Sequence, residues 1–92
     1  GLTERRMFGG LAFLIDGNMC VAASGQGGLL VRIDPDRTEE ALSRPHARPM
    51  DMGRGPMRGW IRVDEAGVAD ARGLRGWVRP ALDHVRALDP KP

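Results

Sequence analysis

Side chains able to do covalent or metal chemistry are few in this chain and far apart. Cys20 is the one cysteine and His46 and His84 the two histidines, while Ser24 and Ser43 have no histidine beside them in sequence. A side-chain nucleophile needs a base within hydrogen-bond reach, and a structural metal needs several Cys, His or Asp ligands at short spacing. Neither pattern occurs along the chain. Cys20 reads as a small buried strand residue rather than a reactive thiol. His84 reads as a half-exposed helix residue rather than a base, and Asp64-Glu65 as acids placed before a helix for electrostatic reasons. Gly25-Gln26-Gly27-Gly28 lacks the Lys-Ser/Thr pair and the immediate helix of a phosphate cradle, so it reads as a turn. The expectation is no catalytic residue, no metal site and no cofactor. An enzyme built on Cys20 or His84 would require a cleft and a perturbing neighbour.

Charge is the richer signal. The chain carries 14 Lys+Arg against 12 Asp+Glu, a net charge of only +2, but the two signs are separated along it. Arg44, Arg48, Arg54, Arg58 and Arg62 stand against the single Asp51, whereas acids gather at Asp34, Asp36, Glu39 and Glu40 and again at Asp64, Glu65 and Asp70. Guanidinium forks suit phosphate and carboxylate, so these five arginines are the nucleic-acid candidates. If all of them met phosphates, log K would fall with log salt at a slope of about −4.5. Against this stand the single aromatic of the segment, Trp60, the lack of a helix-turn-helix, and an arginine bias that a GC-rich genome produces unaided. A second cluster, Arg5-Arg6-Met7-Phe8-Gly9-Gly10, runs two cations and an apolar pair into two glycines. Glycines at a strand entrance permit backbone angles or close chain approach that a Cβ forbids. The six residues are the candidate partner-binding segment. The competing reading makes Met7 and Phe8 core and the arginine stems a cover for apolar surface.

The elements that must position these groups follow from pattern. At 92 residues the chain makes one domain, expected over residues 1–88 with 89–92 frayed, and buries roughly 60 to 65% of its unfolded surface. Its apolar runs are strand-sized, far short of the ~20 residues of a membrane span. One cysteine and no signal-peptide pattern suit a reducing, cytoplasmic compartment. Gly1 in place of Met indicates a processed, trimmed or engineered start.

Leu11–Ile15 and Asn18–Ala22 flank Asp16-Gly17, a strong hairpin signal. A two-residue turn pairs Ile15 with Asn18 and Phe13 with Cys20, and puts Leu14 and Met19 together on the opposite face. Both faces of the hairpin are then apolar, so one needs a cover besides the protein's own helices. A third strand is expected at Leu29–Ile33. Asp34-Pro35 caps a short helix that Pro45 stops by about Ser43. A brief edge strand around Arg48–Met52 and a clearer one at Met57–Val63 follow. Asp70 caps a last helix over Ala71–Leu88, with Leu74, Trp77, Val78, Ala81, Leu82, Val85 and Leu88 in one apolar stripe and a bend at Pro80. The order β-β-β-α-β-β-α is an α+β fold, two layers with an antiparallel sheet of about five strands.

The Met7-Phe8-Gly9-Gly10 motif, the Asp16-Gly17 hairpin, the Leu29-Leu30-Val31-Arg32 strand and the closing Leu74–Trp77 helix resemble the N-terminal domain of TfoX/Sxy proteins, from about Thr3 to Leu88. The chain departs from that family's pattern in Arg48-Pro49-Met50, where the family tends to have Pro with an aromatic, and in having no tyrosine. The resemblance implies an amphipathic helix ahead of the first strand, absent from this sequence, that would cover one of the hairpin's apolar faces; were that helix gone from the molecule, dimerisation or strand exchange would take its place. It also implies a non-enzymatic role in regulating competence genes with a cyclic-AMP receptor-type activator. On that footing the expected partner is a protein of the transcription machinery. Direct nucleic-acid binding through the arginine-rich face is the alternative.

Overall fold

A computed structural model describes residues 1–7, 9–25, 27–51 and 53–91. Phe8, Gln26, Met52 and Pro92, named above in the candidate segment, the glycine-rich turn, a strand end and the tail, lie outside the described residues. Among the described residues six strands form a single antiparallel sheet: β1 (Leu2–Met7), β2 (Gly10–Ile15), β3 (Asn18–Ala23), β4 (Leu29–Arg32), β5 (Ala47–Asp51) and β6 (Pro56–Val63). Their spatial order is β1-β2-β3-β4-β6-β5. Between β4 and β5 a 3₁₀ turn at Pro35–Arg37 runs into a short helix α1 (Thr38–Leu42); after β6 a 3₁₀ turn at Glu65–Val68 leads to α2 (Ala71–Arg86). The α+β class with an antiparallel sheet is as expected, with one strand more than the pattern suggested.

The additional strand is β1, where the resemblance implied that a helix comes first. Leu2-Thr3-Glu4-Arg5-Arg6-Met7 has no apolar alternation because it is an edge strand, exposed along nearly its whole length. Charged side chains at a sheet edge discourage pairing with other chains and remove the hydrophobic signature of a strand.

The Asp16-Gly17 turn closes as expected, with φ of 50° and 84° at its two residues and Ile15 opposite Asn18. Register then departs from the expected one. Leu14 pairs with Met19, but Phe13 pairs with Val21 rather than Cys20, because β3 carries one extra residue. Such a bulge turns two successive residues to one side. Cys20 and Val21 accordingly both enter the core beneath the helices, which also takes Val31, Ile33, Ile61, Val63, Trp77, Ala81 and Val85. Leu74, expected in the same stripe, is instead 40% exposed.

The remaining element boundaries agree closely with pattern. Asp34 accepts from the Asp36 N–H at the 3₁₀ turn and Asp70 from the Gly73 N–H at α2. The segment after α2, expected to fray, is instead tied to the first hairpin. The Lys91 N–H donates to the Asp16 carbonyl at 2.7 Å, and Asn18 Nδ2 donates to the Asp89 carbonyl at 2.8 Å.

The glycine pair does both things glycine allows. Gly9 sits at φ +69° with open space around its Cβ position, and a Cβ on Gly10 would lie 1.8 Å from the Ala23 carbonyl oxygen. Gly10→Ala is therefore expected to cost ~3 kcal/mol or more, against about 1 kcal/mol for Gly9→Ala. Urea unfolding followed by tryptophan fluorescence compares them. Equal losses would mean that β2 and β3 do not approach as closely as described.

Candidate functional site

Directly opposed residues in an antiparallel ladder share a face, so register assigns the sides of this sheet. The inner face meets α1 and α2. On the other face a second cluster forms from Ala12, Leu14, Ala22 and Leu30, with Met7, Met19, Met50 and Trp60 packed around it. Ala12 and Ala22 face each other across β2 and β3 and are 0% and 3% exposed, although no helix of the described residues lies over them. Their cover is the half-buried methionine and tryptophan side chains. The outer face is thus a floor of small residues beneath adaptable walls.

The same register collects arginines there. Arg5 lies opposite Ala12, Arg62 opposite Leu30, and Arg48 opposite Arg62. Arg32 lies opposite Trp60, its guanidinium 5.4 Å from the ring centroid, within cation–π range. Acids are scarce beside them. Glu4 is opposite Phe13 on the inner side, and Asp51 accepts from the Gly53 and Gly55 N–H groups in the β5–β6 turn. Asp64, just past β6, takes Arg48 at 3.1 Å.

This arrangement redistributes the residues singled out in sequence. Arg5 and Arg6 are neighbours on a strand and so point to opposite faces. Arg5 and Met7 join the outer face, while Arg6 lies opposite Leu11 on the other side. Gly9 and Gly10 shape the β1–β2 corner, lining with Arg6, Leu11, Ala23 and Ser24 an open groove. The five arginines from Arg44 to Arg62 are not brought onto one face. Only Arg48 and Arg62 sit together. Arg54 lies in the β5–β6 turn. Arg58 is bound into the helical layer, donating to Glu39 Oε1 at 2.6 Å and to the Pro35 carbonyl at 2.7 Å. The Glu39 pKa is lowered by its backbone hydrogen bond first and by Arg58 second. Sequence reasoning missed Arg32, Trp60, Met19 and Met50 as members of one site. The signal was partly present, since Leu14 and Met19 were expected together on a second apolar face.

Arg44 has a separate task. Pro80 has no N–H, so the Gly76 carbonyl four residues earlier lacks its helical donor. Arg44 Nη1 reaches in from the α1–β5 connection and donates to that carbonyl at 3.0 Å. Its guanidinium lies 3.6 Å from the centroid of the buried Trp77 ring. A Cβ at position 76 would lie 3.2 Å from Arg44 Nη2, so glycine there leaves room for the arginine. Burial lowers the Arg44 pKa, yet a guanidinium stays charged at ordinary pH. The helix thereby runs unbroken from Ala71 to Arg86 with Pro80 inside it.

The reactive candidates are placed differently. Cys20 is 2% exposed, and burial pushes its thiol pKa up, with Arg86 opposing. His84 lines a cleft of about 330 Å³ between α1 and α2, floored by Ile33, Ala41, Trp77 and Pro80. Of the charges at its rim, Arg37 and Glu40 are paired with each other at 3.4 Å. Among the described residues no three His, Cys, Asp or Glu side chains gather in a way that could hold a metal ion. No helix among them is long and apolar enough to cross a membrane.

An open antiparallel sheet, covered by helices on one side and carrying an apolar cluster with arginines on the other, defines a two-layer α+β domain. Its sequence matches the TfoX N-terminal domain over residues 1–85, and the chain belongs to that family. Comparison with curated proteins and with solved structures gives no match.

Two outcomes check this placement. Arg44→Ala should cost ~2 kcal/mol through the lost charge-assisted hydrogen bond and ring contact. Pro80→Ala returns an N–H to the Gly76 carbonyl, so in that background Arg44→Ala should cost about 1 kcal/mol less; strict additivity in the double-mutant cycle would refute the repair. For Cys20, a raised native pKa means that the unfolded chain ionises first. Stability is then unaffected at neutral pH and is lost as pH rises past the ordinary thiol value of 9.0. Chemical denaturation between pH 7 and 10 should show this loss in the native protein and a shallower one in Cys20→Ala.

Proposed function

We propose that this domain is a non-enzymatic regulatory module that binds a protein of the transcription machinery through its outer sheet face. Family membership supports the regulatory class. The observation that carries the rest is the outer face itself, an apolar cluster walled by Met7, Met19, Met50 and Trp60 that shares its face with Arg5, Arg32, Arg48 and Arg62. Methionine walls adapt to a partner's side chains, which suits a protein ligand. The arginines favour an acidic surface on that ligand and raise the encounter rate. Nucleic acid fits less well. The five-arginine segment is split between faces, and Trp60 already holds Arg32 against its ring, so bases lack a stacking platform.

The partner of choice is a cyclic-AMP receptor-type activator, as the resemblance implies. Biolayer interferometry with the purified activator, and separately with duplex DNA alone, tests the reading. Saturable binding to the activator, lost in Met19→Glu while that variant keeps its unfolding midpoint, is the expected result. Binding to DNA alone that weakens steeply with salt, with no binding to the activator, would transfer the function to nucleic acid.

A further inference from the structure

We propose that the occupant of the outer face is an acidic amphipathic α-helix, laid across the strands; this inference rests on the reading of that face as the binding surface. The apolar side chains come from every strand: Met7 from β1, Ala12 and Leu14 from β2, Met19 and Ala22 from β3, Leu30 from β4, Trp60 from β6 and Met50 from β5. Six strands at ~4.8 Å spacing make a band roughly 24 Å wide, which a helix of about 16 residues spans at 1.5 Å per residue. A partner strand cannot fill it. Strand addition happens at an edge and leaves the face untouched, and the β5 edge is interrupted by Pro49 and a register shift. The facing alanines set a low floor in the middle of the band, and the methionines beside it can rotate aside to admit a convex helical surface.

Charge selects the sign of the helix. Arg5, Arg32 and Arg62 take part in no ion pair among the described residues, whereas Arg48 already holds Asp64. Arg5 stands on the edge strand β1, whereas Arg32 and Arg62 stand on the interior strands β4 and β6, in register with the apolar side chains. A second copy of the same face would bring arginine against arginine. A phosphate backbone would satisfy the arginines and leave the methionine walls facing water. A helix with apolar residues at i, i+3, i+4 and i+7 and carboxylates flanking them satisfies both.

The test uses a synthetic blocked peptide of about 16 residues, leucine and phenylalanine at those positions and glutamate elsewhere. Its scrambled isomer of identical composition and a lysine-for-glutamate version are the controls. Binding is read by the NMR shifts of the Met7, Met19 and Met50 methyl groups and of the Trp60 indole N–H. The acidic amphipathic peptide should move all three methyls, with the scrambled isomer and the Arg5→Glu/Arg62→Glu double variant each weakening it ~10-fold or more. Equal binding of the scrambled or lysine peptide, shifts confined to α2, or no binding at low salt each overturns the proposal. Duplex DNA moving the same methyls at lower concentration than the acidic peptide overturns it in favour of nucleic acid. If the activator binds and Met19→Glu abolishes that binding while no acidic helix engages, the surface stands and the helical occupant falls. If neither the activator nor the peptide binds, both fall.

Discussion

A sheet that is apolar on both sides but, among the described residues, carries helices on only one is the constraint from which the remaining features follow. An antiparallel sheet ordinarily solves this by wetting its second face with polar residues. Here Leu14, Met19, Leu30, Met50 and Trp60 occupy that face instead, and the protein covers its own small residues with methionine and tryptophan side chains. The bulge at Cys20 belongs to the same solution. By turning two consecutive β3 residues inward it fills the helix-facing core with Cys20 and Val21, and it leaves Ala22 to face Ala12 outside.

The arginines separate along the same division. Arg44 and Arg58, on the helical side, are absorbed by structure. Arg44 supplies the donor that Pro80 removes from α2, and Arg58 fastens α1 and the preceding 3₁₀ turn to β6 through Glu39 and the Pro35 carbonyl. Those on the outer face, apart from Arg48, have no carboxylate among the described residues. A segment that looks uniformly basic in sequence is therefore divided, with Arg44 and Arg58 bound into the helical side, Arg48 and Arg62 on the outer face and Arg54 in the β5–β6 turn. The α1–α2 cleft, though concave, belongs to the helical side, since Arg44 and Trp77 fill its floor with contacts that hold the helix.

Local signals in the chain read well and side assignments poorly, for a physical reason. Asp16-Gly17, the Asp34 and Asp70 caps and the glycine pair act through their own backbone, and each does in the structure what its residue type dictates. Strand β1 was illegible because an edge strand needs no apolar alternation, and Thr3-Glu4-Arg5-Arg6 has none. Whether Arg48, Arg58 and Arg62 share a face depends on the register of β5 on β6 and on the irregular backbone at Gly59 within β6, whose φ is +84°. The second apolar face was inferable from the hairpin alone. Its extension to Met7 was not, because it needs the edge strand β1, and its extension to Trp60 and Met50 needs the spatial order β4-β6-β5, which no local pattern encodes. Arg44 was read as a nucleic-acid candidate because the carbonyl it serves lies 32 residues away on α2.

The central claim is that the outer sheet face is where this domain meets its partner. Methionine oxidation reads that face directly, because sulfoxide forms at a rate set by solvent access. The domain should be exposed to dilute peroxide alone and when saturated with the purified activator, with sulfoxide at each methionine followed by mass spectrometry. The account predicts that Met7, Met19 and Met50 slow together by several-fold in the complex, while Met57, outside their cluster, keeps its rate. Unchanged rates at all three in a complex shown to have formed would contradict it and move the interface to another part of the molecule.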